Sequence, residues 1–464
     1  MNRHFDHIAL GGGVASLVTT IELLKLGATV ALVAPPPSIG GHFSEKVTLD
    51  ERWDRGMVLL EFDSYYPQSS DLESYNASNA SSAGAYADVV EAYLAPYFKF
   101  RRVEKIETAV SGSIIPDYFI ANDLQGLPML FNAEQRATII AELQVCVASS
   151  KYHPRNKSAG NTFSKLHYNE ASLSNHGYTL HHHLFNPLVR RASNMDSREI
   201  MARHHRLVWA PLYYPETLLD VFLGGCQLKP TQFHYPFETT IGSFAQMLFQ
   251  QILSYIDTGQ VVVIDSLNSM STTAQGWVIN EWANTNNLSS TLAHSDLANH
   301  LSLQTDSPKK SSYMLVFLRI RGDLNCEVVF NNDPDYKLFR LTNQTRLKGI
   351  ADGFSHLVVE YNLDYVMTDE PSFVEGEAFL NDIRGFINKY LPVNGFDIIG
   401  FSVDTLINKL TFPTEHNIHI SEQTQRFLAT TNIALMGASL GMTGTSLNDQ
   451  LIQALKYVDA AKKK

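Results

Sequence analysis

Several kinds of stabilising and catalytic chemistry are scarce or absent in this chain. Only three of its 464 residues are cysteine, Cys146, Cys226 and Cys326. They are far apart and odd in number, which argues against a disulfide framework, leaves no zinc spacing and suits a reducing, cytoplasmic setting. Basic residues are outnumbered, 36 Lys and Arg against 47 Asp and Glu, for a formal charge of -11. A surface that neutralises nucleic-acid phosphates is therefore not expected. Long apolar runs are also missing. Asp6 and His7 interrupt the start and the first apolar helix carries Glu22 and Lys25, so neither a signal segment nor a membrane span of about 20 residues is expected. No H-E-x-x-H pair or G-K-[ST] loop supports a metalloprotease or an NTPase. His181, His182 and His183 are consecutive, and consecutive side chains diverge on either regular element, so no metal site is expected.

What remains is packing and glycine. Hydrophobic residues make up 44% of the chain, with 25 Phe and 20 Tyr. At this length two domains are expected, and the partner expected is a small-molecule substrate, not a nucleic acid. The chain opens with an apolar strand, Phe5 to Leu10, that runs directly into Gly11-Gly12-Gly13-Val14-Ala15-Ser16 and then into a helix to Leu26. Gly27 is its stop signal, and a second strand is expected over Ala28 to Ala34. This is the pattern of a dinucleotide turn. Gly11 permits the tight bend, Gly13 lets backbone approach a pyrophosphate, and the small Ser16 lets helix and strand pack closely. The free N–H groups of Val14, Ala15 and Ser16 then face the phosphates.

Beyond the second strand come Gly40-Gly41 and Asp54-Arg55-Gly56-Met57. At the far end, Thr431 to Met436 predicts a short strand leading into Gly437, Gly441, Gly444, Thr445 and Ser446, with a helix over Leu447 to Lys462. Together these motifs resemble the FAD flavoprotein superfamily of amine oxidases, protoporphyrinogen oxidase and UDP-galactopyranose mutase. The resemblance implies an α/β fold, with a Rossmann-like FAD-binding domain and an interleaved α+β substrate domain. It also implies FAD contacts from Gly11, Gly13, Val14, Ala15, Ser16, Gly40, Gly41, Gly56, Met57, Gly437, Gly444, Thr445 and Ser446. In that family the second strand ends in a carboxylate for the adenosine ribose; here the position is Ala34, and no residue from Leu26 to Ser44 is charged. A segment like the family's return to the FAD domain runs from Tyr235 to Ile264, which implies that Leu267 covers the adenine.

The expected organisation gives 1-66, 235-270 and 425-464 to the FAD-binding domain, and 67-234 and 271-424 to the substrate domain. Residues 68-84 and 269-312 are rich in Ser, Thr and Asn and read as excursions. Helices are expected at Ala133 to Ser149, Ser197 to Trp209 and Pro371 to Tyr390. Strands are expected at Tyr313 to Ile320, Cys326 to Phe330, His356 to Tyr361 and Phe396 to Val403. Candidates for substrate work are Arg203 with Tyr213 and Tyr214, which mix a cation with aromatics, and Arg340 in a family-like strand. The function implied by the resemblance is FAD-dependent oxidation of a C–N or C–C bond. Two alternatives stand beside it, a non-redox flavin enzyme of mutase type and a flavin-free binding protein on the same scaffold.

Overall fold

The computed structural model describes residues 3–463 apart from 63–67, 77–82, 150–164, 205–209, 226–228, 275, 304–305, 307, 375–376, 392–394 and 443–444. It divides into two compact units. The first comprises Met1–Arg101, Phe233–Ser307 and His419–Lys464, the second Arg102–Gln232 and Pro308–Ile418. The strands of the two larger sheets, numbered along the chain, are β1 (His7–Leu10), β2 (Val30–Val33), β3 (Ile106–Val110), β4 (Ser113–Pro116), β5 (Val261–Ile264), β6 (Leu288–Ser290), β7 (Lys310–Arg321), β8 (Val328–Asn331), β9 (Arg340–Asn343), β10 (Phe354–Asn362), β11 (Asp397–Thr411) and β12 (Ile433–Leu435). Four helices matter below: α1 (Val14–Lys25), α2 (Gly242–Leu253), α3 (Ala378–Tyr390) and α4 (Leu447–Lys462).

In the first unit the sheet order is β5-β2-β1-β6-β12, and every pairing is parallel. Parallel strands covered on both faces need apolar side chains at every position rather than alternation, and all four residues of β1 and of β2 are buried. Helix α1 packs against α2 and α4 and buries ten of its twelve residues. Of the two left over, Glu22 and Lys25 pair at 2.8 Å. The helix then ends at Gly27, whose φ of 88° suits the achiral residue.

The stretch 269–312 is not an excursion. It contains an antiparallel hairpin, Met270–Thr273 with Gly276–Ile279, and then β6, which lies between β1 and β12. Ser289 and Ser290 carry hydroxyls that suit a loop when read from sequence. Those hydroxyls are satisfied inside: Ser289 Oγ and His7 Nε2 share a hydrogen bond at 2.8 Å, and Ser439 Oγ donates to Ser290 Oγ at 3.0 Å. Consequently 271–307 falls in the first unit, as does 67–101, where the helix Ala87–Leu94 packs against α4. Residues 63–67 and 77–82, in and beside the first Ser-rich stretch, lie outside the described residues.

His7 has a consequence for pH. Burial holds its imidazole down to about 3 from the usual 6.5, and burial with the neighbouring His182 holds His181 at about 4. A depressed histidine contributes stability that is complete above pH 6.5 and is lost as pH falls toward the folded value, because only the unfolded chain takes the proton. For His7 the slope is roughly 1.4 kcal/mol per pH unit. The melting temperature should therefore fall steeply between pH 6.5 and 4. His7→Gln should flatten that dependence relative to wild type, and an unchanged slope would contradict the assignment.

In the second unit the order is β11-β7-β10-β9-β8-β3-β4, antiparallel except for the parallel pair β8 and β3. Phe379, Ile383 and Phe386 of α3 close one side against Leu318, Leu357 and Val359. Ala133–Ser149 is helical as expected. The helix expected over Ser197 to Trp209 is not formed in its described part. There Ile200 bridges to Thr414, Met201 bridges to His167 and its N–H donates to Pro413 O at 2.8 Å, and a short turn follows; 205–209 lie outside the described residues. Long-range pairing overrides local helix preference in this segment. Helix α3 begins at Ala378 rather than at Pro371, and β11 runs on to Thr411 rather than ending at Val403.

Candidate functional site

The first unit's turn is built from two glycine pairs that face each other. Gly11 has φ 95°, and a β-carbon there would lie 2.7 Å from Thr291 Oγ1, so only glycine fits. The Gly40 N–H donates to Gly12 O at 2.8 Å, and Gly13 and Gly40 form a parallel bridge. A β-carbon on Gly41 would lie 3.5 Å from Gly13 Cα, in ordinary contact, and Gly41 is exposed. Gly13 and Gly41 are thus the places where a ligand can meet bare backbone. Ser16 does not reach outward: its hydroxyl meets Thr291 Oγ1 at 2.9 Å and Leu10 O at 3.3 Å, fastening α1 to β1 and the end of β6.

Helix α1 begins at this turn without a cap. Gly13 is its N-cap residue, no side chain accepts from the first turn, and that turn holds no acidic residue. Val14, Ala15 and Ser16 are buried. Their N–H groups have no intrahelical acceptor, and the helix dipole adds partial positive charge. The chain leaves β1 on one side to form β2 and returns on the other as β6, so the strand order reverses beside β1. Carboxyl-end crevices at such a reversal are where open parallel sheets bind ligands, and an uncapped helix N-terminus there is suited to an anion.

The C-terminal turn is differently equipped. Gly437, with φ 52°, is buried and donates its N–H to Gln453 Oε1 at 2.7 Å. Ser446 is the N-cap of α4: its hydroxyl accepts from the Asp449 N–H at 3.1 Å and donates to Asp449 Oδ2 at 2.6 Å. Tyr75 OH donates to the same carboxylate at 2.6 Å, and Thr445 O accepts from Gln450. The Ser446 side chain is therefore spent on its own helix, and Gly444 lies outside the described residues. Ser446→Ala should lower stability by about 1 kcal/mol, the ordinary cost of a lost N-cap. Denaturant unfolding checks this, and a neutral result would remove Ser446 from the helix-start account.

Comparison with solved structures places the whole architecture. Over 99% of its length the chain is similar to a reduced UDP-galactopyranose mutase, at 13% identity, covering 94% of that chain with TM-score 0.73. Over 100% of its length it is similar to a structure assigned as a protoporphyrinogen oxidase from Exiguobacterium sp. 255-15, at 12% identity, 99% of that chain and TM-score 0.66. Over 98% it is similar to cyclohexylamine oxidase from Brevibacterium oxydans IH-35A, at 14% identity, 98% of that chain and TM-score 0.59. The chain therefore shares the overall fold of these solved structures. No protein-family model and no curated protein matches the sequence.

Within this fold the remaining candidates can be placed. Ala34 is completely buried and donates its N–H to Ile264 O at 2.9 Å, so its methyl group is not presented to a ligand. Gly56, with φ 87°, is buried, and Asp54 before it serves packing: it accepts from Tyr235 OH, the Ile241 N–H at 3.0 Å and the Gly242 N–H at 2.8 Å, anchoring the start of α2. Met57 is half-buried. Leu267 packs against the first unit's core.

In the second unit, Tyr213 OH donates to Tyr118 O at 2.6 Å and to Asn122 Oδ1 at 3.0 Å. Tyr214 is exposed at the N-cap of the helix Pro215–Phe222, and Arg203 is exposed with its Nε donating to His204 at 2.9 Å. Arg340 is not open. Its guanidinium makes a two-point pair with Glu360, at 2.8 and 2.6 Å, with both residues buried. His181 is buried, its Nδ1 sharing a hydrogen bond with Ser172 Oγ at 2.8 Å, and among the described residues no group of three or more His, Cys, Asp or Glu could hold a metal ion. Sequence reasoning missed Thr291 and Asp265. Only the strand register, which is not local in sequence, brings Thr291 under Gly11 and Gly13 and Asp265 beside Ala34.

Proposed function

We propose that the first unit is a Rossmann-like FAD-binding domain and that the chain is an FAD-dependent oxidoreductase acting on a C–N or C–C bond of an organic substrate. The observation that carries the reading is the uncapped, buried start of α1 between the Gly11–Gly13 turn and the Gly40–Gly41 pair. Its backbone N–H groups suit a pyrophosphate and no side chain of the turn fills the place. Flavin, when bound, supplies the hydride acceptor; the protein contributes binding, orientation and exclusion of water. Gly13 and Gly41 admit the phosphates, and α1 offers N–H donors at Val14, Ala15 and Ser16. Arg203 and Tyr214, both exposed, are the candidates for meeting substrate.

One observation favours a second reading. Of the three solved structures compared, the mutase has the higher TM-score, 0.73 against 0.66 and 0.59, so non-redox chemistry on the same cofactor deserves a direct test. Anaerobic mixing of the FAD-loaded protein with amines and, separately, with a nucleotide sugar distinguishes the two. Loss of the oxidised flavin absorbance with stoichiometric product supports the oxidase. Turnover only after prior reduction, with no net electron transfer, supports the mutase.

A further inference from the structure

Asp265 is the first residue past β5, and β5 pairs in parallel register with β2, Ile264 opposite Val33. The Ala34 N–H donates to Ile264 O at 2.9 Å, so the two segments are still bonded where their strands end and Asp265 follows beside Ala34. Neighbouring strands are about 4.8 Å apart, within the span of one sugar ring. Asp265 is exposed, and among the described residues its carboxylate makes no hydrogen bond or ion pair. The other candidate acceptor at this edge, Ser38, donates its hydroxyl to Pro35 O at 2.7 Å. Thus the strand that leaves the dinucleotide turn ends in a buried alanine, while its neighbour presents a free carboxylate at the same edge of the sheet.

We propose that Asp265 accepts the hydroxyl hydrogen bonds of the adenosine ribose of the bound dinucleotide, doing from β5 what a carboxylate at the end of β2 does elsewhere. Ribose hydroxyls are donors that need an acceptor, an ionised carboxylate offers acceptors only, and hydrogen bonds to a charged group are the stronger kind. The same charge repels a 2'-phosphate, which selects against phosphorylated adenosine ribose. Asp265 acts in this way only if the α1 turn holds FAD, as proposed above.

The test is a titration of the apoprotein with FAD and with its 2'-deoxyadenosine analogue, for wild type and Asp265→Ala. Wild type should prefer FAD by about 10-fold or more, and Asp265→Ala should lose most of that preference by weakening FAD about 10- to 100-fold while weakening the analogue, which keeps its 3'-hydroxyl, clearly less. Because Asp265 is exposed and unpaired, the melting temperature of the apoprotein should not move, which separates lost binding from lost folding. FAD bound equally well by wild type and Asp265→Ala would overturn the assignment and leave the FAD reading intact. Wild type that binds neither ligand would overturn both.

Discussion

Leucine in place of Gly13 should empty the flavin site while leaving most of the fold in place. The glycine is the N-cap of α1, and a β-carbon there lies 3.0 Å from Thr291 Oγ1 and 3.1 Å from Thr291 Cβ. A side chain started there meets Thr291, so the turn must shift, and with it the first N–H groups of the helix that would meet the pyrophosphate. Its cost to stability should be that of modest overpacking, about 1–3 kcal/mol. Affinity for FAD should fall by more than about 100-fold, since the lost N–H contacts to an anion are worth roughly 1.5–3 kcal/mol each. Gly41→Asn separates the two effects. Its φ of 56° is one that asparagine tolerates, and its β-carbon makes only ordinary contact. This variant should melt close to wild type and still bind FAD poorly. Normal FAD binding by both variants would remove the ligand from this turn.

Truncating Glu360 should have the largest effect on stability in the second unit. Arg340 and Glu360 are both buried on adjoining strands β9 and β10, and the guanidinium also lies against Phe330 and Phe339. Glu360→Ala leaves a charge without its counter-ion in the sheet, an arrangement that costs about 3–5 kcal/mol. Replacing the two together, Arg340→Met with Glu360→Leu, should recover most of that loss, because a buried pair is often no better than apolar residues of similar size. Denaturant unfolding of the three variants measures both claims. Turnover lost in the double variant, with the fold intact, would return Arg340 to the substrate site; turnover retained keeps it structural.

How well the sequence predicted each feature tracks how local its cause is. The Gly11–Ser16 turn, α1 and α4 could be read directly because glycine spacing, an apolar helix face and an N-capping serine all lie within a few residues of one another. Helix α4 begins and ends at the residues expected, Leu447 and Lys462. Strand β6 could not be read, because Ser289 and Ser290 are acceptable in a core only through partners at His7 and Ser439. The segment after Ser197 failed for the same reason, its pairing partners being His167 and Pro413. The candidate site shows the same division. The glycines that suggest a phosphate site are neighbours in sequence, whereas only the register of β5 sets Asp265, the proposed ribose partner, next to Ala34. Arg340 invited a functional reading because its strand resembles one in the family, and its pairing with Glu360 is visible only in three dimensions.

The most direct test of the FAD assignment is the absorption spectrum of the purified protein, taken before and after addition of FAD and removal of the excess. The account predicts one flavin per chain, with shifted and resolved visible bands that persist through desalting in wild type and vanish in the Gly13→Leu variant. A colourless protein that retains no flavin after incubation would contradict it and leave the fold serving another ligand.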